Sequence, residues 1–264
     1  MDLHLARKSA LVTGSTAGIG LAIAISLARE GTRVFVNGRS EARVAAACEK
    51  VIAAVPSAAV SGLAIDLSIA DGVAELEKKL PEVNILVNNL GIFEAKPFEK
   101  IPDADWMKMF ETNVMSGVRL SRLYLPKMVS RGWGRIVFIS SESGVQIPGE
   151  MIHYGMTKTA QLAVSRGLAE LTAGTGVTVN SVLPGPTMSE GVEEFVTGLA
   201  RQQNKSRADV ERDFFIHMRP TSLLKRFATA DEVANMVTYV CSPQASATNG
   251  AALRADGGVV RSIV

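Results

Sequence analysis

The chain has few cysteines and histidines, which limits the kinds of site it can build. Its 264 residues include only two cysteines, Cys48 and Cys241, and three histidines, His4, His153 and His217. The cysteines lie far apart in sequence, with neither a C-x-x-C pair nor a nearby histidine, so they predict reduced structural thiols. Scattered histidines do not supply the ligand set of a zinc site. We therefore predict no metal site.

The chain also lacks a large excess of either charge and any long apolar run. Lys and Arg number 28 and Asp and Glu 26, which leaves a net charge of +2 without a basic tract. This balance favours neither a nucleic-acid partner nor a membrane partner. Charges occupy the start of the chain, where a signal peptide needs an apolar core, and the apolar stretch around residues 18–28 is too short to cross a bilayer. These features predict a cytoplasmic protein.

Short apolar strands alternate with helical repeats along most of the chain. Strands such as Ile85–Val87 and Val177–Leu183 are separated by helical patterns such as Glu41–Ala54. This order predicts one parallel sheet covered on both faces, with ligands at the carboxyl ends of the strands. The predicted fold is therefore α/β, a single doubly wound domain of about seven strands that spans residues 1–264.

Residues 188–227 depart from this alternation. An apolar repeat from Val192 to Leu199 predicts one helix, and Ser206 with Asp209 resembles a capping box that opens a second helix. A long segment inserted at the active edge of a sheet more often binds ligand than packs the core. We predict that residues 188–227 form a helical lid over the substrate.

A glycine-rich turn follows the first apolar strand. Ser9–Thr13 leads into Gly14-Ser-Thr-Ala-Gly18-Ile-Gly20, where a helical repeat begins. Free N–H groups at a helix N-terminus attract phosphate, and glycines allow its close approach. A tight turn without a ligand is the alternative. We predict a dinucleotide-binding turn that uses Gly14, Ser15, Thr16, Gly18, Ile19 and Gly20.

The end of the second strand predicts which dinucleotide binds. Arg33–Asn37 is followed by Gly38-Arg39-Ser40. A carboxylate in this region would bind the adenosine ribose of NAD, whereas the 2′-phosphate of NADP requires a cation and no acid. An exposed arginine at a helix start is the alternative. We predict that NADP(H) is preferred, with NAD(H) as the second choice, on Asn37, Gly38, Arg39 and Ser40.

A tyrosine and a lysine follow a buried strand. Ile136–Ile139 runs into Ser140-Ser141, and a helical pattern begins near Tyr154. Positions four apart share one helix face, so Tyr154 and Lys158 project together. An ammonium nearby would lower the tyrosine pKa from about 10. The alternative is an exposed helix pair, and the prediction is a tyrosine used in proton transfer.

One amide is predicted to be buried in the long helix from Asp103 to about Val129. Asn113 falls on the inward stripe that contains Met109 and Leu120. A buried amide is costly unless its hydrogen bonds are met. Asn113 is therefore either a satisfied core residue or a group that holds a water or a helix bend near the site.

Together these motifs resemble the short-chain dehydrogenase/reductase family over essentially the whole chain. The resemblance is carried by Thr13-Gly-x-x-x-Gly-x-Gly20, Asp66, Asn88-Asn89-Leu90-Gly91, Asn113, Ser141, Tyr154-x-x-x-Lys158, Pro184-Gly185-Pro186-Thr187 and Asp256-Gly-Gly. It implies a Rossmann-type fold. From the later strands it implies cofactor contacts from Asp66, Leu67, Asn88, Asn89, Gly91, Tyr154, Lys158, Pro184, Gly185 and Thr187. From the residues alone, Asp66 could equally cap the next helix.

The resemblance also implies catalytic roles for four residues. Ser141 would hydrogen-bond the substrate oxygen, and Tyr154 would donate its proton during carbonyl reduction. Lys158 would lower the tyrosine pKa and hold the nicotinamide ribose. Asn113 would support a water through which Lys158 is reprotonated. Ser141 is chosen among its neighbours because it lies thirteen positions before Tyr154.

The implied function is NADPH-dependent hydride transfer between nicotinamide and a carbonyl or secondary alcohol, with 3-oxoacyl thioesters among the candidate substrates. Another small ketone, sugar or polyol is the alternative, and a non-catalytic dinucleotide sensor is a third hypothesis. Thr175 stands where 3-oxoacyl carrier-protein reductases tend to have an arginine to accompany Arg131, which disfavours a carrier-protein partner. The family implies a homotetramer or homodimer. The predicted substrate residues are Ser143, Gln146, His153 and Pro186, and Arg219 and Lys225 hint at an anionic group.

Overall fold

A seven-stranded parallel sheet organises the chain, and the computed structural model describes residues 1–263 except for the side chain of Phe195. The strands of the described residues are β1 (Ser9–Val12), β2 (Arg33–Gly38), β3 (Val60–Ala64), β4 (Ile85–Asn88), β5 (Gly134–Ile139), β6 (Val177–Pro184), β7 (Thr187–Met188), β8 (Ala228–Thr229) and β9 (Ala252–Ala255). The large sheet has the order β3-β2-β1-β4-β5-β6-β9, and all its pairings are parallel. The predicted α/β fold of about seven strands is confirmed.

Helices connect the strands and cover the sheet. Over the same described residues they are α1 (Gly18–Arg29), α2 (Glu41–Ala54), α3 (Ala70–Lys79), α4 (Asp103–Phe110), α5 (Ser116–Ser130), α6 (Ile152–Glu170), α7 (Glu190–Gln203), α8 (Arg207–His217) and α9 (Ala230–Val240). The bounds of α2 agree with the predicted ones. The helix begins at Glu41 because the Ser40 side chain caps its first turn by accepting from the Arg43 N–H.

Successive strand residues face opposite sides of the sheet, so two apolar cores form. On one side, Val12 of β1 packs in a cluster with Ile23 of α1 and Val237 of α9. On the other side, Leu11 joins a cluster that contains Tyr124 of α5. All of these side chains are buried. The two cores fix the sheet between its helices, and this holds the carboxyl ends of the strands along one edge.

The predicted long helix after β4 contains an interruption. α4 ends at Phe110, a π-helical turn occupies Glu111–Met115, and α5 continues to Ser130. A π turn carries one extra residue per turn, so it redirects the side chains within it, and such turns are frequent at functional sites. Asn113 lies in this turn and is buried.

Residues 188–227 form two helices with a small apolar core of their own. Val196 and Ala200 of α7 pack in a cluster with Val210 and Phe215 of α8 and with Phe227. Strands β7 and β8 pair in parallel, so the two ends of the segment meet.

The start of α8 differs in detail from a full capping box. Ser206 Oγ accepts from the Asp209 N–H at 3.1 Å, as the sequence predicts. The Asp209 carboxylate accepts a hydrogen bond from the Ser206 hydroxyl at 2.7 Å. In a capping box the carboxylate would instead accept from the Ser206 backbone N–H. The aspartate side chain is one methylene shorter than the glutamate usual in that motif. The lid role of residues 188–227 stays a prediction.

Candidate active site

The glycine turn between β1 and α1 is held closely against the end of β4. A Cβ added at Gly20 would lie 2.5 Å from Asn89 Nδ2 and 2.6 Å from Gly14 O, so the packing requires glycine there. Asn89 Nδ2 donates to Thr13 O at 2.9 Å and to Gly14 O at 3.0 Å. Within the described chain, α1 has neither a side-chain cap nor an acidic residue in its first turn. Its free N–H groups and its dipole therefore suit the phosphates of a dinucleotide.

Two residues predicted to contact the cofactor are buried beneath this turn. Asn37 Nδ2 donates to Leu63 O and Ile65 O, and its Oδ1 accepts from the Gly14 N–H. Ser15 Oγ donates to Val12 O at 2.7 Å and is buried. The side chains of Asn37 and Ser15 thus shape the turn, and a cofactor contact of either residue through its backbone stays a prediction. Of Gly14, Thr16, Gly18 and Ile19, each is partly exposed at the turn.

The end of β2 opens on a cleft of about 390 Å³. Arg39 is exposed and lines this cleft together with Asp66, Ser68 and Gly91. Among the described residues, no hydrogen bond or ion pair engages the Arg39 guanidinium. Gly38 is fixed by packing, because a Cβ there would lie 2.5 Å from Thr16 Cγ2. Gly38 therefore excludes the carboxylate that would select NAD, and Arg39 supplies a free cation beside it.

Asp66 lies at the carboxyl end of β3, in an Asx turn. Its Oδ1 accepts from the Ser68 N–H at 3.0 Å and from Ser68 Oγ at 2.6 Å. α3 begins at Ala70 with Ile69 as its N-cap residue, so the alternative of an Asp66 helix cap is wrong. Leu67 is buried and packs in the apolar core, so its side chain is not on the cleft surface.

Asn88 and Gly91 lie at the end of β4. Asn88 is buried, and its Nδ2 donates to Ser121 Oγ at 3.3 Å. Its side chain is therefore directed into the protein and not into the cleft, and the cofactor contact predicted for Asn88 stays a prediction. Gly91 is exposed, and a Cβ added there would lie 3.6 Å from Lys158 Nζ. Gly91 thus lies close to Lys158 and lines the same cleft as Arg39.

Both polar atoms of the Asn113 side chain have hydrogen-bond partners. Its Oδ1 accepts from the Ile92 N–H at 2.7 Å, and its Nδ2 donates to Ile92 O at 2.9 Å and to Thr157 Oγ1 at 3.0 Å. Gln161 Nε2 donates to the Asn113 carbonyl at 2.6 Å. Asn113 is therefore a satisfied buried residue that joins the loop after β4 to the tyrosine helix α6.

The serines after β5 have three different environments. Ser140 Oγ donates to Lys158 O at 2.8 Å, so it ties β5 to α6. Ser141 Oγ donates to Glu142 Oε2 at 2.5 Å, and Ser143 Oγ donates to the same oxygen at 3.1 Å. Of the three serines, Ser141 is the one that forms a hydrogen bond with the Tyr154 phenol, and this bond acts to lower the phenol pKa. The structure therefore brings Ser141 and Tyr154 together.

Tyr154 and Lys158 lie on one face of α6, as their spacing predicts. Lys158 Nζ is 5.5 Å from the centre of the Tyr154 ring and donates to Ile139 O at 2.9 Å and to Gln161 Oε1 at 3.2 Å. Burial lowers the pKa of Lys158 to about 7. Burial also raises the pKa of the Tyr154 phenol above its usual range, although the hydrogen bond with Ser141 and the Arg219 charge act in the opposite direction. The pKa of Tyr154 is thus governed by burial, and not by the adjacent ammonium as we predicted.

The four predicted substrate residues separate into two groups. Gln146 is exposed and Pro186 is partly exposed at the carboxyl edge. Ser143 and His153 are buried in the structure, and their contact with substrate stays a prediction. Ser143 is turned toward Glu142, and the His153 ring packs edge-on against Trp106 with ring centres 5.8 Å apart. Adjacent residues of a helix point in different directions, so His153 does not share the face of α6 that carries Tyr154.

The segment after β6 is fixed by backbone contacts. Pro184 ends the strand and is buried, and the Gly185 N–H donates to Ala255 O at 3.1 Å. Thr187 Oγ1 donates to Gly185 O at 2.9 Å, which closes the turn at the entrance to the 188–227 segment. These residues lie at the sheet edge, at the position where the sequence predicts them to contact the cofactor.

Glu142 is the main residue of the site that sequence reasoning missed. Its carboxylate is buried and accepts hydrogen bonds from Ser141, Ser143 and Arg219. The signal was present in the sequence, because an acidic residue directly follows the serine at the end of an apolar strand. Arg219, which we expected to bind an anionic substrate group, is instead paired with Glu142 and Glu150 at 3.1 Å each.

Residues 1–263 contain no group of three or more His, Cys, Asp and Glu side chains arranged to hold a metal ion. No helix within that range has the length and apolar character needed to cross a membrane.

This fold and site correspond to an oxidoreductase that acts on CH–OH or C=O groups with a nicotinamide dinucleotide. A sequence profile of the short chain dehydrogenase family matches residues 8–199. The chain belongs to this family, which confirms the predicted resemblance.

Three known proteins show the range of similarity. The uncharacterized oxidoreductase YvaG of Bacillus subtilis (strain 168) is 49% identical over 263 residues, with 100% of both chains covered. The 3-oxoacyl-acyl-carrier-protein reductase FabG of Aquifex aeolicus (strain VF5) is 32% identical over 263 residues, covering 98% of this chain and 100% of that protein. The structure of L-sorbose reductase from Gluconobacter frateurii complexed with NADPH and L-sorbose superposes with a TM-score of 0.92 at 28% identity, with 100% of both chains covered.

Proposed function

We propose that this chain is an NADPH-dependent reductase of a neutral ketone or ketose that also catalyses the reverse oxidation of the secondary alcohol. The observation that carries the proposal is the placement of Ser141, Tyr154 and Lys158 at the edge of the sheet, with Asn113 and the cofactor cleft beside them. The proposal concerns the cofactor, the chemistry and the substrate in turn.

The preference for NADPH rests on the end of β2. Arg39 is an unpaired guanidinium on the cleft surface among the described residues, and it can bind a phosphate through two parallel N–H groups. Gly38 leaves no room for a side chain that would compete with that phosphate. The L-sorbose reductase structure, which is complexed with NADPH, supports the same choice.

The chemistry follows from the proton-carrying groups. The bound cofactor supplies the hydride. Tyr154 donates a proton to the substrate oxygen, and the hydroxyl of Ser141 hydrogen-bonds that oxygen. Because its pKa is near 7, Lys158 exchanges protons readily at neutral pH, which suits a group that restores the tyrosine proton. Asn113 contributes by holding α6 and the loop after β4 in register.

A neutral substrate is favoured by the residues around the tyrosine. Phe93 is 64% exposed, and its ring centre lies 6.3 Å from that of Tyr154. Val145 and Ile147 are exposed on the loop between β5 and α6, which gives the entrance an apolar border. The charge of Arg219 is already matched by two carboxylates, so an anionic group would gain little from it.

The contacts of Arg131, the arginine that would bind a carrier protein, argue against a carrier-protein substrate. Arg131 donates to Glu82 Oε2 and to Val83 O at 2.6 Å each, so its guanidinium is engaged within the protein. Thr175 also bonds locally, to Thr172 O at 2.7 Å. A 3-oxoacyl thioester without the carrier protein remains the second candidate, because FabG of Aquifex aeolicus is named as a reductase of the 3-oxoacyl group on its carrier.

The assembly that we propose is a homotetramer. The test is light scattering of the purified protein during gel filtration, read against the 28.0 kDa mass of one chain.

The test of function is oxidation of NADPH and of NADH by the purified protein with parallel sets of carbonyl compounds. One set contains ketoses, simple ketones and diketones, and the other contains acetoacetyl thioesters. Turnover of a neutral ketone or ketose with NADPH preferred supports the proposal. Turnover confined to the thioester keeps the chemistry but replaces the substrate class, whereas NADPH binding without any turnover would indicate a dinucleotide sensor.

A further inference from the structure

Glu142 is a buried carboxylate in contact with the hydroxyl of the catalytic serine. Its Oε2 accepts from Ser141 Oγ at 2.5 Å, from the Ser143 N–H at 2.8 Å and from Ser143 Oγ at 3.1 Å. Its Oε1 accepts from Arg219 Nε at 3.1 Å. All four partners donate, which is the pattern that an ionised carboxylate satisfies.

These contacts decide where the Ser141 proton points. A hydroxyl carries one proton, and here it is donated to Glu142. The Ser143 N–H also donates to Ser141 Oγ at 3.1 Å, so the serine oxygen is held from two sides. The oxygen therefore occupies a fixed position, and only a rotation about the Cβ–Oγ bond is needed to redirect its proton to a substrate oxygen.

Arg219 holds the carboxylate from the opposite side. It follows α8 in the 188–227 segment, and its guanidinium bridges Glu142 and Glu150. The side chains of Arg219 and Glu142 are 12% and 6% exposed, whereas that of Glu150 is 35% exposed. The Arg219–Glu142 pair is therefore the better protected of the two, and loss of either partner would leave a charge buried without compensation.

We propose that Glu142, held by Arg219, is a positioning residue that sets the orientation of the Ser141 hydroxyl. The 188–227 segment then takes part in assembling the site, because the arginine comes from that segment and the serine from the turn that follows β5. The expected effect on kcat rests on the proposed carbonyl reduction. The hydrogen bonds of Glu142 are present in the protein without substrate.

The kinetic test is a double-mutant cycle of Glu142→Gln, Arg219→Met and the two together. Glutamine keeps the size of the side chain but presents an amide group to one of the donors, so the serine loses its fixed orientation. We expect kcat to fall about 10- to 100-fold in each variant, with a smaller change in KM for the carbonyl compound, since misplacing a catalytic group acts mainly on the reacting complex. Because the two residues act through one another, the double variant should lose no more than the worse single variant.

Glu150→Gln is the matched control. It removes the other carboxylate of Arg219, which is more exposed and does not touch Ser141, so kcat should change little. Unchanged kcat in Glu142→Gln, or losses that simply add in the double variant, would overturn the proposal. A lowered melting temperature with normal kcat would assign Glu142 a structural role only.

A second readout does not depend on substrate. The Ser143 amide donates to both Glu142 and Ser141, so its hydrogen exchange reports the order of this turn. We expect faster exchange at Ser143 in Glu142→Gln and in Arg219→Met, and wild-type exchange in Glu150→Gln. Unchanged exchange in Glu142→Gln would refute the positioning role. If the wild-type protein reduces no carbonyl compound, the proposed function fails, while the exchange experiment still decides whether Glu142 orders the turn.

Discussion

Asn113 and Ile92 form a two-bond clamp between the π turn and the loop that follows β4. The asparagine amide accepts from the Ile92 N–H at 2.7 Å and donates to the Ile92 carbonyl at 2.9 Å. The Asn113 side chain thus bonds to both backbone groups of Ile92, as a neighbouring strand would. Ile92 lies in the part of the loop that lines the cleft. The π turn directs Asn113 to this position.

Replacing Asn113 with alanine should destabilise the protein. Both backbone groups of Ile92 would lose their partner, whereas the Thr157 hydroxyl would keep its hydrogen bond to Tyr154 O. Each unsatisfied buried group costs about 1–3 kcal/mol. We expect the free energy of unfolding to fall by about 2–4 kcal/mol in urea titrations. Asn113→Asp keeps one acceptor and should be intermediate. An alanine variant as stable as wild type would show that water replaces the clamp without cost.

Tyr154→Phe should abolish turnover and preserve NADPH binding. The phenol is the proposed proton donor, and loss of a general acid typically costs about 10²–10⁴-fold in rate. The measurement pairs steady-state kinetics with a fluorescence titration of NADPH. Tyr239→Phe, at a tyrosine that is 39% exposed, is the control and should behave as wild type. A fully active Tyr154→Phe enzyme would remove the tyrosine from the mechanism.

The fold and the placement of Tyr154 and Lys158 on one face of α6 could be predicted from the sequence because both depend on short-range patterns. Apolar periodicity predicts the alternation of strands and helices, and the carboxyl edge follows from parallel pairing. The spacing of Tyr154 and Lys158 places them on one helix face whatever surrounds them. These inferences need no knowledge of which distant side chains meet.

The sequence does not predict which distant groups each side chain contacts. Asn37 and Asn88 lie at strand ends, as expected, but their amides bond to Leu63, Ile65 and Ser121, which approach from other elements. The Glu142–Arg219 pair joins residues 77 positions apart, and spacing along the chain does not predict such a contact. The burial that shifts the pKa of Tyr154 likewise arises from tertiary packing.

Arg39→Leu should weaken the preference for NADPH. The variant removes the cation proposed to bind the 2′-phosphate, and a hydrogen bond to a charged group is worth about 1.5–3 kcal/mol, or about 10- to 100-fold in affinity. We expect KM to rise by this factor for NADPH and to stay nearly constant for NADH. Arg43→Leu removes an exposed arginine from the first turn of α2 and is the matched control. Equal losses with both cofactors would place the arginine outside the phosphate site.

Lys158 should make stability depend on pH between about 7 and the unfolded value of a lysine. Burial lowers its pKa from 10.5 to about 7 in the folded protein. Between these values the unfolded chain binds more protons than the folded one, so the free energy of unfolding rises as pH increases. For this single group the rise from pH 7 to pH 9 is about 2 kcal/mol.

The experiment that isolates this contribution compares wild type with Lys158→Met in urea titrations at several pH values. Methionine has no titrating group, so the stability of the variant relative to wild type should fall by about 2 kcal/mol between pH 7 and pH 9. Lys100→Met removes the charge of an exposed lysine and should show no such trend. If the difference between Lys158→Met and wild type is independent of pH, the lysine is protonated in both states over this range. Its proposed role as a readily exchanging proton carrier would then fail, even if the residue proved essential for turnover.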